Sequence, residues 1–328
     1  MNSCSFTLFI FSAVIFLQCL SPTGAAKCHP DDELEDKQFT SPIPTWIYNL
    51  TWLTWLSLSG NCISGTIPDI FKSMTKLIFI DLSRNRFSGK LPSSFASLAP
   101  TLKVLHLSQN NLSGTIPNYL SRFEVLSSLY LSKNQYSGVV PKSFANMRKL
   151  KHLDLSHNLL SGPFPELKIV DYLDLSYNKF HRKTMPNWVT KSPSIYMLKL
   201  AKCGIKMRLD DWKPERTKLF VNIDLSENEI SGSPKWCLNQ TESLVEFQAS
   251  GNKLRFDMGK LKFAKSLRVL DLSRNLVFGK VPGTVAGLEK LNLSQNHLCG
   301  KLPVTKFPAS AFAGNDCICG SPLSPCKA

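Results

Sequence analysis

Beyond residue 20 the chain lacks any uncharged apolar run long enough to cross a membrane, which takes about 20 residues, so no membrane anchor is expected there. Acidic residues are sparse: 24 Asp and Glu stand against 39 Lys and Arg, a net charge of +15. A basic field of that size attracts polyanions without specifying which. The known nucleic-acid motifs are missing, so nucleic acid is not an expected partner. Neither C-x-x-C nor H-x-x-x-H spacing occurs, and no metal or other cofactor is expected. There is also no phosphate-cradling loop, and no nucleophile accompanied by a base and an orienting group, so the chain does not read as an enzyme.

What the chain does have is a recurring Asn. It stands at Asn61, Asn85, Asn110, Asn134, Asn158, Asn178, Asn228, Asn252, Asn275 and Asn296, with Cys203 in the same register. The frame around it is L-x-x-L-x-L-S-x-N-x-h-S-G-x-h-P, where h is apolar, and the steps run from 20 to 25 residues. A fixed period in this range marks a leucine-rich repeat solenoid. The expected fold is an α/β solenoid, a horseshoe with a parallel β-sheet on its concave face. Each unit buries its apolar face on its neighbours, so the 328 residues read as one repeat domain rather than two globular ones.

Within one repeat, Leu77, Ile80 and Leu82 point inward because side chains alternate along a strand. Asn85 both donates and accepts, which suits backbone groups exposed where the strand turns. Ser88-Gly89 and Pro92 close the unit, and residues 93–98 can form a short helical or 3₁₀ segment. The S-G-x-h-P element degenerates after Asn178, so the two halves of the solenoid differ in their side surface.

Residues 4–20 are apolar and uncharged, and Gly24-x-Ala26 is a small-x-small site, so a secretory leader over residues 1–26, cut before Lys27, is expected. Four N-x-S/T sequons, at Asn49, Asn111, Asn239 and Asn292, suit a secreted chain. Residues 43–298 are expected to hold about eleven repeats.

Counting back from each Asn, residues six, four, two and one before it line the concave face. Phe79, Arg84, Tyr130, Lys133, His152, His157, Tyr172 and Tyr177 are the candidate partner-binding residues. They are read as falling on four successive units and so forming one patch, with aromatics and cations of the kind that dominate interfaces. An Asp recurs four before the Asn as Asp81, Asp154, Asp174, Asp224 and Asp271. Asp154 and Asp174, about 5 Å apart if on adjacent strands, have the spacing of a retaining glycosidase pair. The recurring Asp-Leu-Ser tripeptide explains them without catalysis.

The L-S-G-x-I-P units resemble those of the plant-specific, extracellular class of leucine-rich repeats, above all polygalacturonase-inhibitor-like secreted proteins and the ectodomains of receptor-like proteins. The resemblance covers about residues 43–328. It is most specific at Asn296-His297-Leu298-Cys299-Gly300, Phe312-Ala313-Gly314-Asn315 and Cys317-x-Cys319-Gly320-Ser321-Pro322-Leu323 with Cys326. It implies that Cys299 pairs with Cys317 and Cys319 with Cys326; the sequence alone leaves three connectivities open. The resemblance further implies that residues 299–328 are a disulfide-bonded C-terminal cap. At the other end Cys28-His29-Pro30-Asp31-Asp32 begins the family's cap motif, and repeat sequence follows after a shorter interval than the family has, so residues 27–42 are read as the remnant of that cap. Cys203 should be a buried, unpaired thiol, while Cys28, Cys62 and Cys237 have no evident partners, a Cys28–Cys62 bridge being one option.

The resemblance implies a secreted, protein-binding repeat protein of the plant cell wall that inhibits a polygalacturonase or serves recognition and defence signalling. Other readings are a pectin-binding wall protein held on acidic polysaccharide, a soluble partner of a receptor-like kinase, and a weakly functional truncated paralogue.

Overall fold

The computed structural model describes residues 5–11, 14–21, 24–25, 43, 47, 49–180, 184–213, 220–240 and 243–326. It divides into two compact units, residues 1–170 and 171–328, each a stretch of leucine-rich repeat solenoid. The expected cap remnant at residues 27–42, with Cys28, lies outside the described residues. The apolar segment read as a leader runs as two antiparallel strands, Ser5–Phe11 and Val14–Ser21. The second of these pairs parallel with Trp55–Ser57.

In the first unit the main sheet continues from Trp55–Ser57 through Phe79–Asp81, Val104–His106, Ser128–Tyr130 and His152–Asp154, all parallel and in register. In the second it runs Tyr172–Asp174, Met197–Lys199, Asn222–Asp224, Glu246–Gln248, Val269–Asp271 and Lys290–Asn292. Each strand is only three residues long, and the frame explains why. The central residue and the Leu two positions on turn inward: Leu56 and Leu58, Ile80 and Leu82, Leu105 and Leu107 are all at most 1% exposed. Short strands like these would be unstable singly; stacking supplies both the backbone bonds and the apolar burial.

The Asn ladder then closes each turn. Asn134 donates from Nδ2 to the Leu107 carbonyl of the preceding repeat (2.9 Å) and to Leu131 and Ser132 of its own, while its Oδ1 accepts from the Leu112 amide (2.9 Å). Asn85, Asn110, Asn158, Asn228, Asn252, Asn275 and Asn296 repeat the scheme. Asn315 extends it into the cap, accepting from Leu298 and donating to the Leu293 and Phe312 carbonyls. It is thus a further station beyond the eleven legible from spacing. Cys203 is buried and free, and its Sγ lies 3.3 Å from the Leu175 carbonyl, where an Asn would donate.

Behind the ladder the two units part company. In the first, Ser64–Thr66, Arg86–Gly89, Asn111–Thr115, Gln135–Val139 and Leu159–Gly162 form a continuous second parallel sheet. Its glycines have φ near +80°, and a Cβ on Gly162 would stand 2.9 Å from Val139 Cγ2, so the S-G element is a geometric requirement here. Among the described residues of the second unit the lateral strands are shorter and discontinuous: Lys179–Phe180, Ser231–Gly232 with Lys253–Leu254, and Phe278–Gly279 with His297–Lys301 and Cys317–Cys319. Short helices complete the repeats, among them the 3₁₀ segments Ser93–Leu98, Asn118–Arg122 and Lys142–Asn146, each entered from a Pro. Proline suits that position because its fixed φ is pre-set for the turn and its missing amide is not needed. Phe71, Phe95, Phe123 and Phe144 pack beneath.

Disulfides join Cys299 to Cys317 and Cys319 to Cys326. Cys62 is also disulfide-bonded. The Cys28–Cys62 pairing raised by the sequence lies outside the described residues. Cys237 is buried and free, and burial drives its thiol pKa well above the usual value.

Candidate functional site

The sheet face opposite the core is where side chains are unconstrained by packing. In the first unit, two rows cross it. The outer row, aligned by strand register, is Trp55, Phe79, Val104, Ser128 and His152; the inner row is Ser57, Asp81, His106, Tyr130 and Asp154.

Trp55 and Phe79 stack with centroids 3.7 Å apart and planes 13° from parallel. Rings that cover each other's faces turn their edges outward, so together they make an apolar ridge rather than a flat platform. Beside them His106 Nδ1 lies 3.5 Å from Asp81 Oδ1, and the His106 ring lies 5.1 Å from that of Tyr130. Asp81 also accepts from the Ser83 amide at 2.9 Å. Burial pushes the Asp81 carboxyl up, but the hydrogen bonds from His106 and Ser83 and the His106 charge outweigh it, leaving the carboxyl below its usual range. Ser128 Oγ meets His152 Nδ1 at 3.3 Å.

The residue just before each ladder Asn carries a constraint that spacing did not reveal. Arg84, Gln109, Lys133 and His157, like Tyr177, Lys202, Glu227, Arg274 and Gln295, all have φ between 51° and 59°. Only Gly60 and Gly251 in this column have no side chain. The conformation aims each amide at a backbone carbonyl of the following repeat, for instance Lys133 at Ser156 (2.9 Å) and Arg84 at Ser108 (2.9 Å). Left-handed backbone disfavours an L residue by about 1 kcal/mol or more. The side chains in this column are therefore held at a conformational disadvantage, raised from the sheet and exposed at Arg84, Lys133 and His157. His157 titrates below the ordinary imidazole value because it is partly desolvated and faces the Lys133 charge, only partly offset by Asp154.

The eight candidates do not fall on four successive repeats. Strand Val104–His106 intervenes between Phe79–Asp81 and Ser128–Tyr130, and Tyr172 and Tyr177 belong to the second unit. His106, absent from the candidates, fills the gap by reaching Asp81 on one side and Tyr130 on the other. Writing out the whole column four before the Asn, not just its Asp members, would have found it. Trp55 was visible in its column but its partnership with Phe79 depends on rotamers.

In the second unit the same face is occupied by groups that satisfy one another. Glu246 accepts from both Asn222 and Gln248, and Glu227 accepts from Arg274. Lys202 Nζ lies 5.7 Å from the centre of the Tyr177 ring. The recurring Asp has a local task in both units: Asp154, Asp174, Asp224 and Asp271 each accept, like Asp81, from the amide two residues on, at 2.9 Å. This Asx-type bond accounts for Asp154 and Asp174 without glycosidase chemistry. Among the described residues no cluster of His, Cys, Asp and Glu is arranged to hold a metal, and no helix is long and apolar enough to cross a membrane.

Of the sequons, Asn49 and Asn111 are exposed. Asn239 Oδ1 accepts from the Lys262 amide, and Asn292 takes the Asp role on its strand, accepting from Ser294.

The leucine rich repeat family matches this chain over residues 51–112, 100–160 and 287–305. Polygalacturonase inhibitor 2 of Arabidopsis thaliana is 35% identical over 114 residues, 33% of this chain and 34% of the relative. Leucine-rich repeat protein FLOR 1 of Arabidopsis thaliana is 37% identical over 117 residues, 33% of this chain and 35% of the relative. These matches thus span about a third of each relative's own length. Among solved structures, PEPR1 with AtPEP1 superposes with a TM-score of 0.57 at 29% identity, over 78% of this chain and 44% of that one. A TDR receptor reaches 0.64 at 24% identity, over 80% of this chain and 50% of that one, a likeness of fold alone.

Proposed function

We propose that this plant leucine-rich repeat protein, related to polygalacturonase inhibitors and to receptor ectodomains, is a secreted recognition protein that binds another protein through the sheet face of its first unit. The first partner to test is a polygalacturonase, the enzyme named in several relatives. Those relatives are named as inhibitors rather than as enzymes, and binding rather than catalysis suits the open face.

The observation that carries the reading is the continuous row from the Trp55–Phe79 ridge through Asp81 and His106 to Tyr130. Aromatics and a cation in one desolvatable strip are the composition of interface anchors. Arg84 stands at its margin with no side-chain partner among the described residues, and Lys133 is exposed on the far side. Side chains kept in left-handed backbone, where Gly would be less strained, support a role in what they present outward. Secretion and glycan at Asn49 and Asn111 belong to the same reading.

The test uses protein secreted from plant cells, shown to be folded by circular dichroism. Saturable binding to immobilised polygalacturonase, with reduced pectate cleavage, is expected, and Phe79→Ala or Tyr130→Ala should weaken both. Unchanged cleavage and no binding at excess protein would remove the polygalacturonase reading. Salt-sensitive retention on pectate that survives Phe79→Ala would instead favour a wall protein held by charge.

A further inference from the structure

The S-G column that lies three residues after each ladder Asn is Ser at positions 64, 88, 113, 137, 161 and 231. Four repeats after Asn178 abandon it, with His181, Lys206, Arg255 and Phe278 in its place; the last two, Arg255 and Phe278, lie in the adjacent repeats before the C-terminal cap. Neither is buried to serve the core. Phe278 is 41% exposed, as is Leu276 beside it, and Arg255 is exposed. These three, with His297, line an open cleft of about 400 Å³ on the side of the second unit. That face is distinct from the sheet face described above, since Phe278 and His297 sit in the second, lateral set of strands.

The cleft is built rather than incidental. Phe278 is fixed on one side by the hydrogen bond its backbone N–H donates to the Phe256 carbonyl (3.1 Å) and on the other by pairing with His297. The His297 ring is held by Asp316 at 3.1 Å from Nδ1. Asp316 is committed to His297, and Asp257 to the Gly259 amide and Lys260. Arg255, by contrast, has no side-chain partner among the described residues. The site thus offers two apolar walls and one uncompensated guanidinium, an arrangement that calls for an anion next to an apolar group. Its volume is at the small end of ligand sites and suits a few side chains rather than a broad surface.

We propose that this cleft binds a short acidic peptide segment, an apolar side chain seated between Phe278 and Leu276 and a neighbouring carboxylate paired with Arg255. A carboxylate suits the guanidinium fork, and aliphatic or aromatic side chains match the walls better than a hydroxyl-covered sugar acid would.

The proposal is tested on the whole secreted protein with an array of hexapeptides that contains every apolar–acidic dipeptide, their Asp→Asn and apolar→Ser counterparts, and trigalacturonate as the saccharide arm. Peptides carrying both groups should be retained, and either replacement should release them. Phe278→Ser and Arg255→Ser, which restore the residue the repeat uses elsewhere and so should fold, are expected to weaken retention by about tenfold or more. Absence of any apolar–acidic preference, retention unchanged in Phe278→Ser, or equal binding of trigalacturonate would each overturn it. Polygalacturonase binding in Phe278→Ser separates the two surfaces: it should remain at the wild-type level, and its loss would show that the cleft is no independent site.

Discussion

The two units use one backbone frame and spend their freedom in opposite places. In the first, the lateral side is a uniform Ser-Gly column on an unbroken second sheet, and variation is concentrated on the main sheet face, where Trp55, Phe79, His106 and Tyr130 gather. In the second, charged and amide groups on the main face bind one another through Glu246 and Arg274, while the lateral side loses its sheet and gains Arg255 and Phe278. The frame fixes the inward Leu positions, the Asn ladder and, where the second sheet runs, the Gly of the S-G element. The remaining columns are free to drift, so a departure from the column's usual residue is informative when it is exposed and unneeded by the core.

That comparison assumes a ladder equally strong in both units, and the largest effect tests it. Asn134→Ala would strip partners from the buried Leu112 amide and the Leu107 carbonyl; Asn275→Ala would do the same to Leu254 and Ala249. At about 1–3 kcal/mol for each stranded group, either variant should lose about 3 kcal/mol in chemical denaturation. A much smaller loss at one of them would mean that the units are not energetically alike and fold separately.

The next effect sharpens the contrast between faces. Tyr130→Ala, with neighbours His106 and Lys133 intact, should weaken partner binding by about 2 kcal/mol, roughly thirtyfold, as for a buried aromatic anchor. Tyr177→Ala, in the second unit beside Lys202, should change it less than about threefold. Titration calorimetry against the same partner compares them directly, and equal losses would extend the binding face into the second unit.

How much of this could be read from the residues follows the same division. The parallel strands, the inward Leu pairs and the ladder were legible because burial imposes a strict period, and Cys203 declared itself by occupying an Asn position. The left-handed column was invisible, since Arg84, Gln109, Lys133 and His157 have nothing in common but backbone conformation. Asn315 was missed as a ladder station because its repeat is shortened to fit the cap. His106 and the Trp55–Phe79 stack were hidden for another reason: contacts between exposed side chains depend on rotamers, which no period encodes.

A smaller effect concerns the core of the first unit. Tyr136 takes the position that Phe87 holds two repeats earlier, and its hydroxyl is buried without a hydrogen-bond partner. Burial accordingly raises its phenol far above the usual pKa. Tyr136→Phe removes an unsatisfied polar atom and keeps the ring, so it should stabilise the protein by about 1 kcal/mol. Thermal unfolding would detect that, and a loss of stability would reveal a partner for the hydroxyl.

The smallest effect is one of pH, and it separates His157 from the carboxylate beneath the aromatic row. The folded chain holds His157 below the imidazole value of 6.5, so the unfolded chain takes up the proton more readily. Stability is then full above pH 6.5 and falls as pH drops from there through the folded pKa, after which this contribution is flat. Asp81 has the same sign in a lower window: its carboxyl is depressed below 3.8, and its contribution is lost as pH falls below that value. Denaturation midpoints measured between pH 8 and pH 3, starting points chosen to bracket both ordinary values, should show two separate declines, the lower one shared by Asp81 with the similarly depressed Asp69 and Glu229. His157→Gln removes the upper one and leaves the lower. If the upper decline persisted in His157→Gln, the imidazole that titrates would be another one, and the placement of His157 beside Lys133 would not be what sets it.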